Sequence, residues 1–239
     1  MATLYAGTSG FAYPAWKPDF YPEKLPQAKF LAHYAGRLNS VEINYTFRRT
    51  PAASTLQQWV EATPAGFAFA LKAHQRITHV RRLKEAESAT EFFFRAIDPL
   101  RSARRLGPVL FQLPPDLKCD IDRLAAFLNQ LPGDIRCAVE FRHPSWLVPE
   151  VYDLLRESRI SLCVAESAKL EVPEVVTAGF VYYRLRKPMY TPAEVEAIAA
   201  RAKDMVAAGH DLYMFFKHGD TPAGALNAEK VLHLQAGPA

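Results

Sequence analysis

Residues 41–44 read VEIN, a short apolar strand that carries an acid and an amide. Side chains alternate along a strand, so Val41 and Ile43 share one face while Glu42 and Asn44 share the other. One face is apolar and the other is equipped for chemistry. That split fits a stave of a parallel barrel whose polar residues sit at the open mouth.

Seven more short apolar runs accompany it: LYAGT (4–8), FAFALK (67–72), PVLFQ (108–112), CAVEF (137–141), SLCVA (161–165), FVYYRL (180–185) and LYMFFK (212–217). Helical patterns fall between them, the signature of repeated βα units. Gln27–Gly36, Ser54–Ala62, Thr90–Leu106, Ile121–Leu131 and Pro149–Arg156 are predicted helices. Thr191 and Glu194 open another as a capping box, and Thr221-Pro222 opens the last. Pro173 interrupts residues 166–179, so one βα unit is irregular or lacks its helix. Eight units in 239 residues predict an α/β fold, a TIM-type (β/α)8 barrel forming one domain over 1–239. No glycine-rich G-x-G-x-x-G turn follows the first strand to favour an open doubly wound sheet.

Bulk composition narrows the setting. Hydrophobic residues make up 49% of the chain, enough for a large core, and a net charge of +4 is too small to imply nucleic acid by itself. Cys119, Cys137 and Cys163 have no C-x-x-C spacing, which fits inert thiols in a reducing cytoplasm. The chain shows no signal-peptide pattern and no apolar stretch of about 18 residues, so a cytoplasmic protein without a membrane partner is expected.

Polar side chains gather at the C-terminal strand ends: Glu42 and Asn44, then Lys72, Gln112, Glu140 with Arg142, Glu166, Arg184 with Arg186, and Lys217 with His218. Strand parity places Glu42, Lys72, Gln112, Glu140, Arg142 and Arg184 around one cavity, with Ala68 and Ala70 lining the interior below Lys72. Barrel enzymes build their sites at this end. A structural ion-pair network is the competing explanation, although apolar residues would stabilise a barrel at least as well.

The stretches GTSGFAYPAW (7–16), VEINYTF (41–47), FAFALKAHQRITH (67–79), LGPVLFQLPP (106–115), AVEFRHPSW (138–146) and YYRLR (182–186) together resemble the DUF72 family, also called YecE-like proteins, over nearly the whole chain. The resemblance implies a TIM-type barrel and carries no assigned activity. The family pattern falls on Gly7, Ser9, Gly10, Trp16, Glu42, Asn44, Lys72, Thr78, His79, Gln112, Pro114, Glu140, Arg142, Trp146 and Arg184. Arg186-Lys187 and Phe216-Lys217-His218 depart from it, where many members have His-Gly and Phe-Asn-Asn; both changes add positive charge.

Cations outnumber acids at this mouth, so an enzyme acting on a phosphorylated or otherwise anionic small substrate is expected, of hydrolase or isomerase type. Glu42, Lys72 and Glu140 are the catalytic candidates. Either carboxylate serves as general acid or base if its pKa is tuned toward neutrality, and Lys72 stabilises developing charge or forms a Schiff base. Asn44, Gln112, Arg142, Arg184, Arg186, Lys217, Trp16, Trp146 and His79 are the substrate-binding candidates, and HGDTPAG (218–224) offers a helix N-terminus to an anion.

Three rivals stand beside that reading. A glycosidase would pair Glu42 with Glu140 and use Trp16 and Trp146 as sugar platforms. A nucleic-acid groove would stack bases on Tyr13, Trp16 and Trp146. A non-catalytic anion-binding protein would turn nothing over. No organic cofactor is expected; a divalent metal on Glu42, Glu140, His74, His79, His143 or His218 is a minor alternative, because no H-E-x-x-H spacing exists. The basic run RITHVRRLK (76–84) reads as a solvated loop.

Overall fold

The computed structural model describes residues 2–217 and 219–236. Its eight strands are β1 (Leu4–Thr8), β2 (Ser40–Ile43), β3 (Ala68–Lys72), β4 (Leu106–Gln112), β5 (Cys137–Glu140), β6 (Ser161–Ala165), β7 (Phe180–Leu185) and β8 (Asp211–Phe216). Every strand pairing is parallel, in the order β1-β8-β7-β6-β5-β4-β3-β2. The sheet rolls into a nearly closed TIM-type barrel. Helices α1 (Phe30–Ala35), α2 (Ala53–Glu61), α3 (Glu87–Ser102), α4 (Ile121–Leu128), α5 (Pro149–Glu157), α6 (Pro192–Ala207) and α7 (Ala223–Ala236) follow seven of the strands.

Among the described residues, β6 alone is followed by no helix. Residues 166–179 cross to β7 without regular structure, as Pro173 predicts, because a proline supplies no N–H to a helical ladder. Buried Thr177 anchors the crossing: its hydroxyl accepts from Leu162 N at 2.8 Å and donates to Ile160 O at 2.6 Å. The start of α6 is also as expected, with the reciprocal Thr191–Glu194 capping box formed. Helices α1 to α4 end earlier than periodicity implies, while α5 runs one residue past Arg156. Gln27–Lys29 is a 3-10 turn before α1, α4 stops at Leu128, and Leu106, expected in a helix, opens β4.

Alternation sorts each strand between two cores. Inward-facing Ala68, Ala70, Leu110, Ala138, Cys163 and Phe215 fill the barrel, while outward-facing Val41, Phe69, Val109, Phe111, Val139 and Met214 pack under the helices. Small residues inside β3, β5 and β6 leave room for the bulky Tyr182, Tyr213 and Phe215 opposite, so the interior is filled rather than hollow.

The seam between β1 and β2 is built differently. One bridge, Ser9 with Glu42, is the only ladder pair described across it. Side chains satisfy the β1 backbone instead, since buried amides and carbonyls need partners. The Asn39 amide accepts from Ala6 N at 2.9 Å and donates to Leu4 O at 2.8 Å. The Tyr34 hydroxyl accepts from Thr8 N at 2.8 Å and donates to Ser40 O at 3.0 Å. Gly7 permits this approach: a β-carbon there would lie 1.8 Å from Ser40 O and 2.7 Å from the Tyr34 hydroxyl.

The run expected as a solvated loop is ordered. Arg76–Val80 forms a π-helical turn that buries Ile77 and Thr78, and Leu83 is buried just beyond it. Arg82, Leu83 and Glu85 take left-handed backbone angles of 52°, 67° and 48°. The apolar positions within the basic run drive this: burying Ile77 and Leu83 offsets the backbone strain.

Candidate active site

The top layer of the barrel is ionic. Glu42, inward-facing on β2 and completely buried, accepts four hydrogen bonds. Ser9 Oγ (2.7 Å), Asn44 Nδ2 (3.1 Å) and Arg184 Nη2 (2.7 Å) reach its Oε1, and the Tyr182 hydroxyl reaches Oε2 at 2.8 Å. Glu140 at the tip of β5 accepts Arg184 Nη1 at 2.6 Å and Gln112 Nε2 at 2.8 Å. One guanidinium on β7 therefore spans two carboxylates from β2 and β5.

The chain of contacts continues outward. Because Gln112 gives its NH2 to an acid that can only accept, its Oε1 is turned to receive Lys72 Nζ, at 2.8 Å. The ammonium lies 3.9 Å from the centre of the Phe47 ring, a favourable cation–π placement. His79 meets the same ring edge-on at 4.8 Å, and its Nδ1 is bonded to the Thr78 hydroxyl at 2.8 Å. Arg142 Nε stands 3.7 Å from Glu140 Oε1, with its side chain largely exposed. From Glu42 to Arg142 the layer passes from a sealed interior to open solvent.

Charge and burial set the titration. Burial alone would raise Glu42, but the Arg184 charge and the bonds from Arg184, Ser9 and Tyr182 overcome it and hold the acid down to about 2. Glu140 is likewise held below the usual carboxylate range, where burial is outweighed by Arg184 and Arg186 and by the Gln112 bond. Lys72 moves the other way from its ordinary 10.5, to about 8, through burial and the Arg184 charge, with Arg186 adding to it. Burial and the Lys72 and Arg142 charges also lower His79, which keeps its imidazole neutral.

Titration bears on the chemistry open to each group. A general base works best with a pKa near the operating pH and a free lone pair. Glu42 and Glu140, expected to be catalytic, are held below that range, and their bonds to Arg184 fit them to orient it. They also grip one guanidinium between them. Lys72 and His79 keep the environment that proton or covalent chemistry requires.

Other candidates divide clearly. Asn44, Gln112 and Arg184 join the network directly, and Arg186 lies close enough for its charge to act on both Lys72 and Glu140. Lys217 continues β8, its N–H bonded to Leu185 O at 2.7 Å, but is exposed and, among the described residues, makes no hydrogen bond or ion pair with these groups. Trp16 and Trp146 are corrected: both are completely buried in the outer core. Trp16 packs on Tyr21 and donates to Gly219 O at 3.2 Å; Trp146 stacks on Phe141 and donates to Leu117 O at 2.7 Å. Neither indole is a platform for sugar or base, because each N–H is satisfied by backbone and each ring is covered.

His218 and its part of the HGDTPAG segment lie outside the described residues. Among the described residues no three His, Cys, Asp or Glu side chains gather as a metal site; His74 Nδ1 accepts from Arg76 N, and His143 Nδ1 bonds the Ser145 hydroxyl. Three contributors escaped the candidate set: Ser9, Tyr182 and Phe47. Ser9 lies on the family pattern and Tyr182 shares the inward parity of Arg184; Phe47 closes the VEINYTF stretch, but strand parity does not place it, because a 3-10 turn after β2 delivers it to Lys72.

Fold and site define a TIM-type barrel protein with a buried ionic layer opening into a cationic mouth. The chain belongs to the DUF72 family, described as "Protein of unknown function DUF72", which it matches over residues 5–238. A curated relative, the UPF0759 protein YunF of Bacillus subtilis, is 33% identical over 156 residues, covering 63% of this chain and 54% of that protein. The match thus spans about half the length of that relative. A DUF72 structure from Thermotoga maritima is 28% identical, covers 98% of this chain and 99% of its own, and superposes with a TM-score of 0.85. One from Enterococcus faecalis is 19% identical with a TM-score of 0.82, covering 100% of this chain and 97% of its own. A sugar phosphate isomerase/epimerase from Parabacteroides distasonis shares the fold alone, at 11% identity and a TM-score of 0.55, covering 100% of this chain and 95% of its own. Among the described residues no helix is long and apolar enough to cross a membrane.

The buried network has a pH signature. Glu42 drops from an ordinary 4.5 to about 2 on folding, so its contribution is complete above the unfolded value and fades as pH falls through the folded one. The expected loss is about 3 kcal/mol over that acid window. Urea denaturation at a series of pH values is expected to show it, with the slope flattened in Glu42→Gln. An unchanged slope in that variant removes Glu42 as its source.

Proposed function

We propose that this protein is an enzyme acting on a small phosphorylated or otherwise anionic substrate at the C-terminal mouth of the barrel. One observation carries the reading: both carboxylates of the layer are hydrogen-bonded to Arg184, and among the described residues the side chains of Lys72, Arg142 and Arg186 have no acid within hydrogen-bonding distance, with Glu140 3.7 Å from Arg142 and Glu166 bound to the backbone N–H of Arg186. A mouth with surplus positive charge favours an anion, and the guanidinium fork of Arg142 matches phosphate or carboxylate geometry. Lys72 and His79 supply a weakly basic amine and a neutral imidazole beside it, as proton transfer requires.

The rivals fare less well. Two of the three aromatic platforms needed for a nucleic-acid groove are in the core. The pair Glu42 and Glu140 lacks the raised acid a glycosidase uses. The free thiols of Cys119, Cys137 and Cys163 support a reducing location such as the cytoplasm.

Calorimetric titration with inorganic phosphate tests the site. Arg142→Ala is expected to weaken binding by about tenfold or more, the loss of a charge-assisted contact, with the fold unchanged because Arg142 is exposed. Equal affinity in the variant overturns the assignment of Arg142. Binding of single-stranded DNA with a steep salt dependence would favour the groove instead.

A further inference from the structure

Resting on that anion-site reading, we infer that Lys72 is a covalent nucleophile: its amine condenses with the carbonyl carbon of a phosphorylated aldehyde or ketone to form an imine. The geometry around Nζ supports this over a merely electrostatic lysine. A buried amine that stays a cation is usually ion-paired; Lys72 is partly buried and has no ion pair among the described residues, although two carboxylates lie one contact away. Arg184 consumes both. Gln112 offers only a neutral carbonyl oxygen, which fixes the direction of Nζ without neutralising it. On the other side the Phe47 ring keeps water off. Partial burial and nearby guanidinium charge release the proton easily, the condition under which a lysine becomes nucleophilic.

His79 completes the arrangement. It touches the same Phe47 ring, senses the Lys72 charge, and bonds Thr78 through Nδ1, leaving Nε2 without a partner among the described residues. A neutral imidazole in this place relays a proton from nitrogen to oxygen. The step balances without redox. Lys72 loses one ammonium proton to His79, and the free pair on Nζ forms the C–N bond as the carbonyl π pair moves to oxygen. His79 returns its proton to that oxygen, a second nitrogen proton follows by the same route, and the C–O bond breaks to release water. Three ammonium hydrogens become one on the iminium and two in the water. The positive charge stays on nitrogen and makes the adjacent C–H acidic, while Arg142 and Arg186 hold the phosphate.

Borohydride trapping of the full chain tests this, with dihydroxyacetone phosphate as probe, dihydroxyacetone as its uncharged control, and peptide mapping by mass spectrometry. The expected result is one reduced adduct on the Lys72 peptide, at least about tenfold more abundant with the phosphorylated probe, and absent in Lys72→Arg. Mapping the wild-type protein makes the result independent of how the variant folds. Adducts spread over surface lysines with Lys72 unmodified, while inorganic phosphate still binds, overturn the imine and leave the anion site standing. Trapping of Lys72 equally by both probes, with no binding of inorganic phosphate, supports the imine and overturns the phosphate preference.

Discussion

Arg184→Met is expected to lower stability by about 3–5 kcal/mol, the cost of leaving buried charges unpaired, seen as a fall in melting temperature of roughly 10 °C or more. The magnitude follows from what the guanidinium does: it is the charged partner of two acids that are themselves 0% and 3% exposed. Without it each carboxylate must protonate or draw water into a filled barrel. The triple variant that adds Glu42→Gln and Glu140→Gln is expected to recover much of the loss, because neutral amides need no counter-charge. Additive losses in the triple variant would show that Arg184 acts through packing rather than charge.

Gly7→Ala is expected to be still harder to accommodate. Overpacking a core commonly costs about 1–3 kcal/mol when neighbours can shift. Here the added carbon would sit 1.8 Å from a backbone oxygen of the adjoining strand, and the nearest side chain, Tyr34, already holds Thr8 and Ser40. Neither neighbour can rotate away, so β1 must separate from β2. Loss of more than about 3 kcal/mol, or failure to accumulate as folded protein, is the expected result. Gly133→Ala, where a β-carbon meets nothing within 4 Å, is the control and is expected to stay within about 0.5 kcal/mol of wild type. Equal stability of the two variants would mean that the seam yields.

Much of the site was legible because strand parity has a period of two and needs no distant information. Glu42, Lys72, Gln112, Glu140 and Arg184 were placed on one layer from alternation alone, and they are joined by hydrogen bonds. Pro173 announced the missing helix by its chemistry. Less was readable where an answer depends on residues remote in the chain. Trp16 resembles a ligand platform until Gly219, 203 positions away, accepts its N–H. The direction of the Glu42 titration is likewise invisible in VEIN, since it depends on which of several arginines arrives; Arg184, 142 positions on, supplies it. Helix ends were misjudged because apolar periodicity continues past Leu128 into a turn that Leu131 merely flanks.

The Ser9–Glu42 bridge joins two tasks in one residue. Glu42 stitches the two ends of the sheet together and also anchors Arg184 beneath the mouth, so mutational drift at this position threatens folding before it reshapes the mouth. Lys72, His79 and Arg142 stand free of that constraint. Change at the mouth of this scaffold, in nature or by directed evolution, has those three outer positions as its adjustable set, above a foundation that tolerates little change.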